Sequence, residues 1–265
     1  MTRQSGNRLQ YGVTKLTAAF RQPYSGIIAV CLFLSATVFA QPLPQALKIT
    51  RLTDNFYVYT SYGSYHGQRI PANGMYVVTG KGALLFDTPW DSTQFMPLLD
   101  SIRSRHHQHV VMCIATHFHE DRTGGLAFYH RQGIPTYTSR LTDSMSRERH
   151  MNRAEYLFSK DSIFQIGQYR FETYYPGPGH APDNIVIWFP KQQVLYGGCL
   201  VKSAHEPDLG NLSDGSLLRY AAAIKNVAVK CSTAKFIVTG HGDWSDTNSL
   251  AHTYQLAEDT MRKIR

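Results

Sequence analysis

The chain has 265 residues, 43% of them hydrophobic and 17% charged, with a formal net charge of +8. That balance supports a full apolar core and excludes a disordered or low-complexity protein. No cluster of Lys and Arg with interleaved aromatics occurs, so nucleic acid is not an expected partner.

Residues 1–40 differ from the rest. Arg3, Arg8, Lys15 and Arg21 are their only Lys or Arg, and no acid precedes Asp54. An apolar run at 27–39, broken only by Ser35 and Thr37, ends at Ala40 before Gln41-Pro42. This is the pattern of a cleavable export signal over 1–40, and the run is too short to be a good membrane span. Val30 before Cys31 speaks against a lipoprotein signal. The expected compartment is the periplasm, with no stable membrane association after cleavage. What remains, 41–265, is about 225 residues, the size of one domain, and a monomer is expected. Its net charge falls to about +4, a mildly basic surface that suits small anionic substrates. Cys113, Cys199 and Cys231 stay in the mature chain. An odd count in an oxidising compartment leaves at least one thiol for a task other than a disulfide.

In chain order, residues 47–59 read as two strands around the turn Thr53-Asp54-Asn55. Residues 60–68 read as a Gly/Ser loop with aromatics. It is either a plain hairpin turn or a mobile flap that presents Tyr62 or Tyr65 to a ligand, with Gly63 and Gly67 letting it move. Residues 73–78 and 83–86 form a hairpin. Asp87 closes its second strand as a helix cap or as a buried acid supporting the loop that follows the next strand. Residues 92–105 read as a helix and 110–114 as a buried strand. Residues 126–131 are helix-like, and 141–155 are helical or irregular. Strands follow at 163–166, 169–175, 185–189, 194–196 and 236–238, and helices at 216–229 and 248–265. Strand and helix patterns mix throughout, which places the chain in the α/β class.

The chemistry concentrates after the strand at 110–114. His117-Phe118-His119-Glu120-Asp121 puts two imidazoles and a carboxylate into five residues, ahead of Gly124-Gly125. On a strand-end loop His117 and His119 can converge on one cation, and Asp121 can reach a second one. A bare His-x-His is more often a pair of surface residues; this context favours metal. His180, Cys199 and His241 each lie beside a glycine at or near a strand edge. Singly they read as a turn residue, a small buried hydrophobe and a core histidine. Together with the first cluster they supply six donors, enough for two open sites of three protein ligands each.

On these residues the chain resembles the subclass B1 metallo-β-lactamases within the metallo-β-lactamase-fold hydrolases. The matching segments are His117 to Asp121, Gly179-His180, Gly198-Cys199-Leu200-Val201-Lys202 and Gly240-His241-Gly242, with Asp87-Thr88-Pro89-Trp90 and Leu209-Gly210-Asn211-Leu212 also similar. The resemblance implies a four-layer αβ/βα sandwich of two mixed sheets with outer helices. It implies two zinc ions, one on His117, His119 and His180, the other on Asp121, Cys199 and His241. It further implies that a zinc-activated hydroxide opens the lactam ring of penicillins, cephalosporins and carbapenems, conferring antibiotic resistance. Asp121, Lys202 and Asn211 would act in the reaction. Lys202 would hold the substrate carboxylate and Asn211 the lactam carbonyl, with Tyr62 and Tyr65 covering the substrate. Asp87 and Arg122 would support the metal ligands. A thioesterase or nuclease of the same fold would carry a bridging Asp in place of Cys199, and a non-catalytic zinc protein would not need open coordination. No Ser-x-x-Lys motif occurs.

Overall fold

The computed structural model describes residues 46–159 and 161–264. The expected export signal at 1–40 lies outside them. Among the described residues, twelve strands and six α-helices make two mixed sheets with helices on the outside.

In the first sheet, β1 (Lys48–Thr53), β2 (Phe56–Tyr65), β3 (Gln68–Thr79) and β4 (Gly82–Phe86) form an antiparallel meander. The sheet continues in parallel through β5 (Val110–Ile114), β6 (Thr136–Ser139) and β7 (Tyr156–Phe158). The second sheet runs β8 (Ser162–Ile166), β9 (Tyr169–Tyr174), β10 (Val186–Phe189) and β11 (Val194–Gly198), all antiparallel. Beside β11 lies β12 (Phe236–Thr239), parallel to it.

Strand alternation builds the layers, because successive side chains leave a strand on opposite faces. Val58, Met75, Val77, Leu84 and Phe86 meet Phe171, Ile187, Phe189 and Tyr196 between the sheets. Tyr59, Tyr76, Ala83 and Leu85 point the other way, onto Phe95, Leu98 and Ile102 of α1 (Phe95–His106) and onto Leu126 and Tyr129 of α3 (Leu126–Arg131). On the second sheet Val186, Trp188 and Leu195 pack under α5 (Leu217–Lys230) and α6 (Ser249–Ile264). The four-layer sandwich expected from the sequence is the fold observed.

One local expectation changes, one is refined and one strand is added. Residues 60–68 are not a loop. They belong to β2 and β3, paired through Tyr62↔Pro71, Gly63↔Ile70 and Tyr65↔Gln68, with only His66-Gly67 at the tip. The stretch 141–155 resolves into α4 (Arg140–Glu148) and a connection into β7. Strand β6 carries Thr, Tyr and Ser, and its polar composition hid it. Among the described residues no helix is long and apolar enough to cross a membrane.

The sheets are tied at one edge. Asn73 of β3 donates its backbone N–H to Gly240 O at 2.8 Å, and its side-chain amide to Thr239 O and Gly242 O at 3.2 and 2.9 Å. The C-terminal ends of β4, β5, β11 and β12 share that edge, and each runs into one of the chemistry-bearing segments.

Candidate metal centre

The segment after β5 leaves the sheet at Ala115 and enters α2 (Glu120–Thr123), a single turn that carries Asp121 and Arg122 inward. Asp87, at the end of β4, holds the start of this segment. Its Oδ1 accepts from Thr116 N at 2.7 Å, and its Oδ2 from Thr116 Oγ1 and Tyr196 OH at 3.0 and 2.5 Å. Asp87 does so from a left-handed backbone, φ 62, a conformation that costs a non-glycine residue on the order of 1 kcal/mol and persists only when its surroundings hold it. Of the two roles open to Asp87, the structure selects the buried acid. Burial pushes its carboxyl up to about 6, against the pull of Arg122, Tyr196 and Thr116.

The first donor group is three imidazoles. His117 Nε2 lies 3.1 Å from His119 Nδ1, and His180 Nε2 lies 3.2 Å from the same atom. His119 turns its other nitrogen, Nε2, to Asp214 Oδ2 at 3.1 Å. A carboxylate acceptor keeps the proton on Nε2 and leaves the Nδ1 lone pair facing the two neighbouring rings. Nitrogens on a tetrahedral ion at about 2.0–2.1 Å stand about 3.3–3.4 Å apart, so the separations from His119 to His117 and to His180 suit ligands of a zinc-sized cation. Burial pulls the pKa of His117 and of His180 well below the ordinary histidine value, which keeps both neutral and able to ligate.

The second group shares the floor. His241 Nε2 lies 3.1 Å and Cys199 Sγ 3.6 Å from Asp121 Oδ2. Donor atoms of Asp121, Cys199 and His241 all fall within 4.8 Å of one another. His117 also groups with His180 and Cys199, and with His119 and Asp121, at the same spacing. The six donors therefore form one continuous cluster. Burial lowers His241, but Cys199 and Asp121 outweigh it and push its pKa up to about 9. A metal cation held by the same residues would displace that proton on binding. A set of imidazoles, one carboxylate and one thiolate suits zinc. Gly240 permits the convergence: a Cβ there would stand 2.6 Å from Cys199 N.

Arg122, 1% exposed, lies beneath this floor. Nη2 donates to Cys199 Sγ and Gly240 O, each at 2.9 Å, and Nη1 to Asn73 O at 2.7 Å. Its guanidinium, with His241 and His117, outweighs burial and holds Asp121 well below the usual carboxylate range.

Above the cluster opens a cavity of about 600 Å³. His119, Asp121, His180, Cys199 and His241 line it, as do Lys202, Asn211 and Tyr65. Lys202 is 8% exposed, and burial lowers its pKa against Cys199 and Glu206. Asn211 Oδ1 accepts Ser213 N at 3.0 Å, so the group left to donate is its NH₂. Tyr62 is not among the lining residues. Its backbone N and O are held by Gln94 at 3.0 and 3.3 Å, and the neighbouring Gly63 abuts Trp90. Ile70, Pro71 and Trp90 form the apolar wall instead. The sequence reading missed Asp214. It lies 95 positions from His119, so no local spacing signals the pair.

The comparisons agree with this geometry. Residues 67–241 match the family model described as "Metallo-beta-lactamase superfamily". A curated relative, the "Metallo-beta-lactamase type 2" of Elizabethkingia meningoseptica, is 40% identical over 225 residues, covering 85% of this chain and 90% of that protein. The "Metallo-beta-lactamase IND-1" of Chryseobacterium indologenes is 37% identical over 205 residues, covering 77% and 86%. Among solved structures, the metallo-beta-lactamase from Pontibacter korlensis superposes with a TM-score of 0.78 at 37% identity, covering 81% of this chain and all of that one. With the donor cluster at the matched edge of the matched fold, this chain belongs to the metallo-beta-lactamase superfamily.

Proposed function

We propose that the chain is a zinc-dependent β-lactam hydrolase of the subclass B1 kind, holding two zinc ions and conferring resistance to penicillins, cephalosporins and carbapenems. It acts as a monomeric single domain, 41–265, in the periplasm, after export directed by residues 1–40. The observation that carries this reading is one cavity lined by His119, His180, His241, Asp121 and Cys199, with His117 Nε2 3.1 Å from His119 Nδ1. The names of the curated relatives support the lactam as substrate.

His117, His119 and His180 would hold one zinc, and Asp121, Cys199 and His241 the other. When bound, zinc supplies a water activated near neutral pH and a Lewis acid for the carbonyl. The residues around it bind and orient. Lys202, buried and poor in water contacts, places an ammonium where the substrate carboxylate can replace lost solvation. The Asn211 NH₂ can donate to the lactam oxygen and strengthens its hold as negative charge develops there. Tyr65 and Trp90 cover apolar substituents and displace water from the cavity. Tyr62, with its backbone fixed outside the cavity wall, acts on the ribbon rather than on substrate.

Hydrolysis of a penicillin, a cephalosporin and a carbapenem by the purified protein tests this reading, run with and without clavulanate. Ring opening that clavulanate leaves intact is expected. No ring opening of any of the three, or full loss with clavulanate, overturns it.

A further inference from the structure

Helix α4 ends against the metal segment, and the residue that closes it is Arg149. The backbone there is locked: Arg149 N–H donates to Met145 O and Met151 N–H to Ser146 O, at 2.9 and 2.8 Å, around His150 at φ 56. This is a helix end closed through a left-handed residue, and it aims Arg149 in one direction. Its Nη2 lies 3.0 Å from Asp214 Oδ1, while Asp214 Oδ2 faces His119 Nε2 at 3.1 Å. The same guanidinium lies 6.0 Å from the ring centre of Phe118, the residue between His117 and His119. Three residues on, Asn152 donates its amide to Gly124 O at 2.9 Å, tying the connection to the far end of α2.

We infer that Arg149 is a positioning residue for the three-histidine donor group, acting through Asp214. This rests on the reading that His119 holds a metal. Asp214 lies on the loop after Asn211, and among the described residues its side chain hydrogen-bonds, besides its contacts with His119 and Arg149, to Ser213 Oγ alone, at 3.4 Å. A loop carboxylate held at one oxygen alone can rotate about its side-chain bonds. Arg149 occupies one oxygen and leaves the other as the acceptor for His119. That contact keeps the His119 proton on Nε2 and the Nδ1 lone pair pointed at the shared centre. Arg149 therefore links α4, the loop bearing Asn211 and the metal segment at one point. Asp121, Cys199 and His241 have no contact with it, so the effect is confined to the three-histidine group.

Arg149 is half-exposed in this ion pair, which therefore contributes little to global stability, so the metal is the sensitive readout. Cobalt(II) added to the metal-stripped protein reports the two groups separately, through the sulfur-to-cobalt charge-transfer band of Cys199 and the ligand-field bands of the imidazole group. In Arg149→Ala the imidazole group should fill at about tenfold higher cobalt, with the charge-transfer midpoint and the melting temperature unmoved. Arg149→Lys, which keeps the charge but loses the planar fork, should recover most of the loss. Unchanged filling in Arg149→Ala, or an equal shift of both bands, would overturn the inference; if Arg149→Ala fails to fold, Arg149→Lys and Arg149→Gln must still differ from each other in the imidazole group alone. A protein that fills normally but opens no lactam would count against the proposed function and leave this inference standing.

Discussion

Arg122 Nη2 lies 2.9 Å from Cys199 Sγ, and the same nitrogen lies 2.9 Å from Asp121 Oδ2. One buried guanidinium thus faces both a carboxylate and a sulfur donor, and through Nη1 it reaches Asp87 at 3.5 Å. With zinc bound the cations would take over part of the charge balance there; without zinc Arg122 carries it together with His241, which lies 3.1 Å from Asp121 Oδ2. Arg122→Ala should therefore destabilise the metal-free protein by about 3–5 kcal/mol, the cost of leaving buried charge unpaired. The zinc-loaded protein should lose less. Urea unfolding with and without chelator measures both. An equal loss in the two states would show that Arg122 acts by packing alone.

Lys202 is buried in the cavity wall, where a carboxylate bound in both substrate and transition state would contribute the same energy to each. Lys202→Ala should raise KM by roughly ten- to a hundredfold, equivalent to about 1.5–3 kcal/mol, with kcat changed only slightly. Steady-state kinetics on one penicillin decides it. A change in kcat alone would place Lys202 outside substrate binding.

The β2–β3 ribbon is scaffold at its base, and under the proposed function its tip covers substrate. A Cβ on Gly63 would stand 2.2 Å from Trp90 Cδ2, and Trp90 packs edge-on to His241 with ring centres 6.1 Å apart. Gly63→Ala should cost about 1–3 kcal/mol by overpacking and shift the Trp90 fluorescence. Tyr65→Ala, at the exposed tip, should leave the melting temperature unchanged and lower kcat/KM by up to about tenfold, or 1.4 kcal/mol. Equal melting temperatures for wild type and Gly63→Ala would contradict the first half, and unchanged kinetics in Tyr65→Ala the second.

The ribbon also shows where sequence reading stops. Composition marks 60–68 as a loop because Gly and Ser are poor strand formers. Pairing partners from 68–71 override that preference, and nothing local announces them. Strand β6 was hidden in the same way, its register with β5 running through Cys113↔Thr136 and Ile114↔Tyr137. The six candidate donors were legible because three crowd into five residues after a buried strand and the other three, His180, Cys199 and His241, lie beside glycine at or near strand edges. Their supports were less so. Asp87 was visible as an acid closing an apolar strand, whereas Asp214 and Arg149 are ordinary loop residues until the fold brings them to His119.

Asp183 follows the His180 loop at 0% exposure, and neither of its oxygens has a well-aligned hydrogen bond. Burial raises its carboxyl to about 7, against weak support from Thr142 and the Phe118 backbone. Between its ordinary 3.8 and about 7 the unfolded chain ionises while the folded one keeps its proton. Stability from this group is therefore present at low pH, is lost as pH rises through that window, and is gone above it. Asp183→Asn lacks the slope. Relative to wild type it should gain on the order of 1–3 kcal/mol between pH 4.5 and pH 8, measured on metal-free protein. Parallel stability curves for the two proteins would show that Asp183 is ionised throughout.

The most direct test of the account follows hydrolysis of a penicillin as zinc is returned to the chelator-stripped protein, with bound metal counted at each addition. The account predicts no ring opening in the metal-free protein and full recovery as zinc fills the His117, His119, His180, Asp121, Cys199 and His241 cluster, with binding complete at two zinc ions per chain. Ring opening that survives complete removal of metal would contradict it.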